Sequence, residues 1–360
     1  MAEEDTIVTV RRDDRPRCGA YELVRELGRG GMGSVWEGRH VTLGRRVAVK
    51  VLHEAFASNP ELLARFLREG MAAARIDHPH VATVFDVGHE GNRAWLVMEL
   101  LEGEDLGALL EREGHLDATR AADLLLPVIA ALGTAHAAGV VHRDLKPGNL
   151  FLARDRSGVV SPKVVDFGFS KIREDTSDPD PELTRPDVAL GTLSYMPAEQ
   201  VHAASKAGPT CDQYALGVTL YRCVTGRLPY TGETPPKTFA AIVRGVCPRP
   251  GELVPGLPAG LDEVILQAMH RRPEGRFPSM QAFGAALLPF ASPGSQARWS
   301  ETFGGAGASK AATVSSPAPG ATATPVAPGP AGASSGRARL VLGVALVLAL
   351  VAVVTLALTR

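Results

Sequence analysis

The chain has 360 residues, 45% of them hydrophobic and 21% charged, with 38 Lys plus Arg against 39 Asp plus Glu. The net charge of −1 excludes a dedicated nucleic-acid binder, whose footprint is strongly basic, and the apolar content excludes a disordered or fibrous chain. Its four cysteines, Cys18, Cys211, Cys223 and Cys247, form no CxxC pair and have no His at zinc-ligand spacing, so a disulfide scaffold is excluded, no structural zinc site is expected, and a reducing compartment is.

Residues 1–20 are polar and charged, without an apolar stretch after a basic start, and read as a flexible segment rather than a secretory signal. Residues 21–290 have the composition of a globular domain, with two textures. In the first, the runs YELVRELGRG, SVWEGRH, RRVAVKVL, ATVFDVGH and RAWLVMEL predict strands. Between them, Leu62, Leu63, Phe66, Leu67 and Met71 recur at helical spacing. In the second, from residue 105 onward, stretches such as ATRAADLLLPVIAALGTAHAAG and DQYALGVTLYRCVTG predict helices. The expected class is α+β: a small sheet-rich lobe followed by a larger helical lobe.

Residues 291–339 shift to Ala, Gly, Pro, Ser and Thr, which lack the apolar bulk needed to offset ordering entropy, and predict a flexible linker. Residues 340–358 carry no charge. As a helix they would span roughly 28 Å, close to the ~30 Å hydrocarbon core, which predicts one C-terminal transmembrane helix. Arg337 and Arg339 precede that span and only Arg360 follows it, so the globular part is expected on the cytosolic side, with nothing folded beyond the membrane.

The chemistry-bearing residues come in a fixed order. Gly28, Gly30 and Gly33 form a GxGxxG loop, where missing side chains let backbone N–H groups approach phosphate oxygens. Alone, such a loop is equally a phosphate cradle or a structural glycine hairpin. The strand-like Val35-Trp36-Glu37-Gly38 that follows argues against a dinucleotide-binding turn, which needs a helix there. Lys50 ends the run Val47-Ala48-Val49, either as an edge-strand surface lysine or as a cation under the glycine loop. Glu69, on the predicted helix, is either its carboxylate partner or part of a solvated face. His142-Arg143-Asp144-Leu145-Lys146-Pro147-Gly148-Asn149 packs a carboxylate, cations and an amide into one loop, and Asp166-Phe167-Gly168 follows a short apolar run. Two acids and an Asn suit hard oxygen ligation of Mg²⁺ beside a nucleotide, with one carboxylate free to take a hydroxyl proton.

This ordered set, closed by Pro197-Ala198-Glu199, resembles the eukaryotic-like protein kinase family, and more narrowly the bacterial membrane-anchored Hanks-type serine/threonine kinases. The resemblance covers about residues 21–290 and implies ATP and Mg²⁺ as cofactors, with Mn²⁺ a possible substitute. It also implies positions. Gly28, Gly30 and Gly33 would cover the phosphates, while Leu27, Val35 and Ala48 would pack on adenine. Lys50 would hold phosphate and pair with Glu69. Met98 falls at the gatekeeper position, and Glu99 to Leu101 form the hinge that bonds adenine. Asp105 would reach the ribose. Asp144 would accept the substrate proton, Lys146 would steady the phosphoryl group, and Asn149 and Asp166 would ligate the metal. Lys146 and Thr192 match the Ser/Thr pattern. Arg143 suits a kinase activated by phosphorylation of its loop, with Thr184 the first candidate and Thr176 and Ser177 next. Glu199 would pair with Arg276.

Two departures stand out. The family's Ala-Pro-Glu is Pro197-Ala198-Glu199 here, which moves the residue whose φ proline fixes, and Phe169 after Asp-Phe-Gly is bulky. The expected partners are protein substrates bearing Ser or Thr, and a transient homodimer for trans-autophosphorylation, favoured by confinement to the inner membrane. No nucleic-acid partner is expected. The alternative function is a membrane-tethered pseudokinase that docks partners. The presence of Lys50, Glu69, Asp144, Asn149 and Asp166 together favours an active enzyme. A small-molecule kinase is disfavoured by Gly191-Thr192 and the Pro-Ala-Glu segment.

Overall fold

The structure, a computed structural model, describes residues 16–155, 157–167, 193–202 and 207–304. The expected phosphosites Thr176, Ser177 and Thr184, as well as Gly168, Phe169, Thr192 and the span 340–358, lie outside the described residues.

The N-terminal lobe is an antiparallel sheet of β1 (Arg17–Cys18), β2 (Tyr21–Gly30), β3 (Gly33–His40), β4 (Arg46–Leu52), β5 (Val84–Glu90) and β6 (Arg93–Met98) in the order β1-β2-β3-β4-β6-β5. Period-two alternation sorts the central strands onto two faces. Ala48, Leu52, Leu96 and Met98 face one cluster, with Leu62 and Phe66 of α2 (Pro60–Ala73). Val47, Val49, Trp95 and Val97 face another, with Cys18, Tyr21 and Leu23. Both faces are covered, which is why β4 and β6 read as nearly continuous apolar runs. A short helix, α1 (Glu54–Ala57), precedes α2. Asn59 caps α2, its Oδ1 accepting from Glu61 N at 3.0 Å and Leu62 N at 3.3 Å, and Pro60 opens the first turn. On the outer face, Gly19 turns the chain with φ +55°, its Cβ position only 3.1 Å from the Trp95 ring. The 16–19 segment thus lies directly over that indole.

The second lobe is helical: α3 (Leu106–Glu113), α4 (Ala118–Ala137), α5 (Ala198–His202), α6 (Thr210–Thr225), α7 (Pro235–Arg244), α8 (Pro250–Leu253), α9 (Leu261–Ala268), α10 (Met280–Leu287) and α11 (Pro293–Phe303). A small sheet, β7 (Gly103–Asp105), β8 (Leu150–Arg154) and β9 (Val160–Val164), sits beside them in the order β7-β8-β9. The core helices are α4 and α6; Leu125, Leu126, Ile129, Leu132, Leu216, Val218 and Leu220 are fully inaccessible. Among the described residues α4 is the only helix long and apolar enough to cross a membrane, but it is the buried spine of this lobe. The expected two-lobed α+β architecture is what the chain adopts.

Two boundaries are corrected: the segment expected to be flexible to residue 20 already holds β1, with Cys18 fully buried, and the second lies at the C-terminal end of the domain. The expected linker from residue 291 begins instead with a folded helix, α11. Ser292 caps it, Pro293 opens it, and Ser292 N donates to Asp123 Oδ1 at 2.9 Å. Trp299 and Phe303, four apart and so on one face, are 8% and 1% exposed. Averaging composition over an Ala/Gly/Pro/Ser-rich window hides one aromatic pair, and that pair supplies the apolar area that orders the segment. The folded unit therefore reaches at least Gly304.

Candidate active site

The glycine loop joins two strands. Gly28 pairs with Val35, and Gly30 with Gly33, across the β2–β3 hairpin. The three glycines stand in different surroundings. A Cβ on Gly33 would fall 2.1 Å from the Val51 carbonyl oxygen, so the fold itself demands glycine there. A Cβ on Gly28 would meet nothing within 4 Å, and one on Gly30 only the Gly33 carbonyl oxygen at 4.0 Å. No described residue crowds those two positions; the open space suits a phosphate group approaching the backbone. Beneath the hairpin, Val35 lies across from Lys50, and Ala48 from Met98. Val35, Ala48 and Met98 share one apolar cluster, whereas Leu27 is 40% exposed and stands outside it.

Lys50 Nζ donates to Asp166 Oδ1 at 2.7 Å, which brings the β4 lysine to the end of β9. Lys146 Nζ donates to Asp144 Oδ2 at 3.2 Å. Asn149 Nδ2 donates to the Asp144 carbonyl at 2.6 Å, and Val165 N donates to the Asn149 carbonyl at 3.0 Å. These bonds gather Lys50, Asp144, Lys146, Asn149 and Asp166 at one place. Burial opposes ionisation of Asp166, but the Lys50 ammonium outweighs it and holds the carboxyl below its usual range. With Nδ2 committed, Asn149 offers its Oδ1 as an acceptor. One carboxylate and one amide oxygen make too few ligands for an all-protein metal cage, and no cluster of three His, Cys, Asp or Glu exists among the described residues. They do fit Mg²⁺, which keeps waters and phosphate oxygens in its shell.

The loop carrying Asp144 is fixed from below by a residue that sequence reasoning missed. Asp212, wholly buried in the first turn of α6, accepts from His142 N at 2.9 Å, Arg143 N at 2.8 Å and His136 Nε2 at 2.7 Å. Burial pushes this carboxyl up, and the His136 contact and the backbone donors more than reverse that, leaving it below the usual range. Arg143 adopts φ 65° and Asp166 φ 60°, the left-handed region that non-glycine residues seldom occupy. Gln200, also missed, holds the first of these, with Nε2 donating to the Arg143 carbonyl at 2.5 Å. His142 Nε2 donates to the Val165 carbonyl at 2.9 Å, while its Nδ1 accepts from Asp144 N at 3.3 Å. The imidazole thereby links the two loops, with its ring 4.9 Å from that of Phe167. The only sequence signal for Asp212 was a lone acid opening an otherwise apolar helix.

The remaining expected residues fall as follows. Met98 ends β6, and Glu99 N donates to Thr83 O at 2.9 Å. Glu99 Oε2 accepts from Lys163 Nζ at 2.9 Å, a pair the sequence gave no sign of. Asp105 caps α3, its Oδ1 accepting from Ala108 N at 3.0 Å, so one oxygen already has a structural duty. Leu101 follows β6, and Glu69 is part-buried on α2. Glu199 and Arg276 form a forked ion pair at 2.7 and 3.2 Å. The Pro197-Ala198 order does not disturb it: the Pro197 carbonyl accepts from Gln200 N at 3.0 Å as α5 begins at Ala198.

A two-lobed fold with a glycine hairpin over a Lys–Asp pair, and a carboxylate loop facing it, is that of nucleotide-dependent phosphoryl-transfer proteins. The profile of the protein kinase domain matches residues 21–283, and the chain belongs to that family. It is 41% identical over 271 residues to serine/threonine-protein kinase Pkn1 of Myxococcus xanthus, covering 75% of this chain and 38% of Pkn1. It is 39% identical over 274 residues to serine/threonine-protein kinase PknA of Mycobacterium tuberculosis, covering 75% of this chain and 61% of PknA. The matches thus span less than two thirds of either relative. Among solved structures, the PknI kinase domain of Mycobacterium tuberculosis superposes with a TM-score of 0.59 at 28% identity, covering 77% of this chain and 98% of that one.

Proposed function

We propose that the protein is an ATP-dependent serine/threonine protein kinase. The observation that carries this reading is the convergence of Lys50 on Asp166 and of Asn149 and Lys146 on Asp144, the two groups joined by the backbone bond from Val165 N to the Asn149 carbonyl. Bound Mg-ATP would supply the γ-phosphoryl group and the cation that neutralises charge as it moves. Gly28 and Gly30 leave room over the phosphates, and Leu27, Val35, Ala48 and Met98 offer the adenine an apolar slot. The backbone of Glu99 to Leu101 would bond the base, and Asp105 the ribose. Lys50 would hold phosphate oxygens with Glu69 as a second carboxylate, and Asp166 and Asn149 would hold the metal. Asp144 would orient the substrate hydroxyl and take its proton at a carboxylate oxygen, while Lys146 balances the charge. Catalysis is then chiefly positioning and electrostatic stabilisation, for which a rigidly bonded loop is suited. The complete set argues against a pseudokinase.

Protein substrates bearing Ser or Thr, loop phosphorylation at Thr184, Thr176 or Ser177, a transient homodimer, and an inner-membrane anchor at 340–358 with the kinase in the cytosol belong to the same proposal. They rest on the sequence pattern. The test is transfer of radiolabelled γ-phosphate from Mg-ATP to a generic basic protein or to the chain itself. Wild type should transfer, and Asp144→Asn should lose on the order of a hundredfold or more while keeping its thermal midpoint. Wild type that transfers no more than Asp144→Asn refutes the reading.

A further inference from the structure

The family match ends at residue 283, so α11 lies wholly beyond it. Yet α11 is fastened firmly. Ser292 N bonds Asp123, Gln281 Nε2 donates to the Thr302 carbonyl at 2.7 Å, and Gln296 Nε2 donates to the Ala291 carbonyl at 2.8 Å. Phe303 packs so tightly on α10 that a Cβ on Gly284 would fall 2.2 Å from its ring. Between these fastenings the Trp299 indole lies 5.7 Å from the imidazole of His80, centroid to centroid.

His80 begins a short bar of chain, residues 80–83, laced along both edges. On one edge its Nδ1 donates to the Pro162 carbonyl at 2.8 Å, and its own carbonyl accepts from Val164 N at 2.9 Å. Ala82 N then donates to the Val164 carbonyl at 3.0 Å, with Val81 bridged to Val164. That edge is β9, which runs on into Val165 and Asp166. On the other edge, the Thr83 carbonyl accepts from Glu99 N, and Lys163 Nζ closes the circuit onto Glu99 Oε2. The bar therefore sets the distance between the segment expected to bond adenine and the segment carrying Asp166. His80 is only 9% exposed, and the indole is one of the rings packed beside it. Admitting water there replaces a sheltered hydrogen bond with a competed one.

We propose that Trp299 is a positioning residue for the nucleotide site: from α11 it clamps His80 and thereby fixes the spacing between Glu99 and Asp166. This rests on the kinase reading above. It makes α11 a working part of the enzyme rather than the start of a tether.

The test uses the full chain, with Trp299→Ala, Trp299→Phe and a stability-matched control, Ile265→Ala, which empties a fully buried site on α9. Trp299→Ala should raise KM for ATP on the order of tenfold with a smaller change in kcat. It should also speed amide hydrogen exchange in residues 81–84 and 163–165. Trp299→Phe, which keeps an aromatic face on the imidazole, should restore most of both. Ile265→Ala should lower the thermal midpoint and leave both readouts unchanged. If Trp299→Ala destabilises the protein like the control but keeps its KM for ATP and its exchange pattern, the clamp is refuted. Should Trp299→Ala not fold, Trp299→Leu carries the same comparison. Wild type without phosphoryl transfer would instead overturn the kinase reading, and the exchange comparison would still decide the clamp.

Discussion

Replacing Arg276 with Met tests how the segment around Glu199 is held. The guanidinium is fully buried and bonds both Glu199 oxygens, the Thr210 carbonyl at 2.9 Å and the His270 carbonyl at 2.8 Å, with the Tyr214 ring 5.0 Å away. Removing one member of a buried ion pair costs about 3–5 kcal/mol, because the other charge is stranded. Glu199 retains 30% side-chain exposure, so water relieves part of that loss and the lower end applies. The two carbonyls left without their donor add about 1–3 kcal/mol between them once partial rehydration is allowed for. Met refills much of the volume, so no large cavity term is added. The expected loss is about 4–6 kcal/mol, or roughly 10 °C in thermal midpoint for a domain of this size. Glu199→Gln leaves both carbonyl bonds intact but strands the wholly buried guanidinium, so it should lose about 3–5 kcal/mol. Urea unfolding followed by circular dichroism measures both. A loss below about 1 kcal/mol for either variant would refute the assignment of most of the energy to stranded groups.

Gly284→Ala forces a methyl group into the Phe303 ring, so it should cost about 1–3 kcal/mol by overpacking and speed limited proteolysis within α11. Asp212 titrates below its usual range in the folded protein, so its contribution is present above the unfolded carboxylate value of about 3.9 and is lost as pH falls through the folded value. Asp212→Asn should therefore be clearly less stable than wild type at neutral pH. The gap should narrow in acid, and urea midpoints measured from pH 7 to pH 3 that keep it constant would count against the assignment.

Strands β2 to β6 were legible as short runs rich in apolar and β-branched residues between turn formers, helix α2 by its three-to-four spacing, and α4 and α6 as longer apolar stretches. The site residues were legible for a different reason, since each sits in a short run of unusual neighbours. What escaped were contacts between residues far apart in sequence. Asp212 meets His142 across seventy positions, and Gln200 meets Arg143 across fifty-seven. Neither carries a local pattern, because the partner is a backbone group and any sequence supplies one. Lys163 with Glu99 escaped likewise, since a lysine and a glutamate look like surface residues until the fold places them together. The α11 error had another source: ordering there depends on two aromatic side chains, not on average composition.

The turn at Gly19 has a practical consequence for anyone excising this domain. The family boundary at Tyr21 would leave out the strip of chain that shelters one face of the Trp95 indole. An aromatic side chain carries about 150–250 Å² of surface, so wetting even half of it forfeits about 2–3 kcal/mol at ~25 cal/mol per Å². A fragment trimmed there would be stickier and less stable than the protein it stands for, and its shortcomings would belong to the cut rather than to the protein.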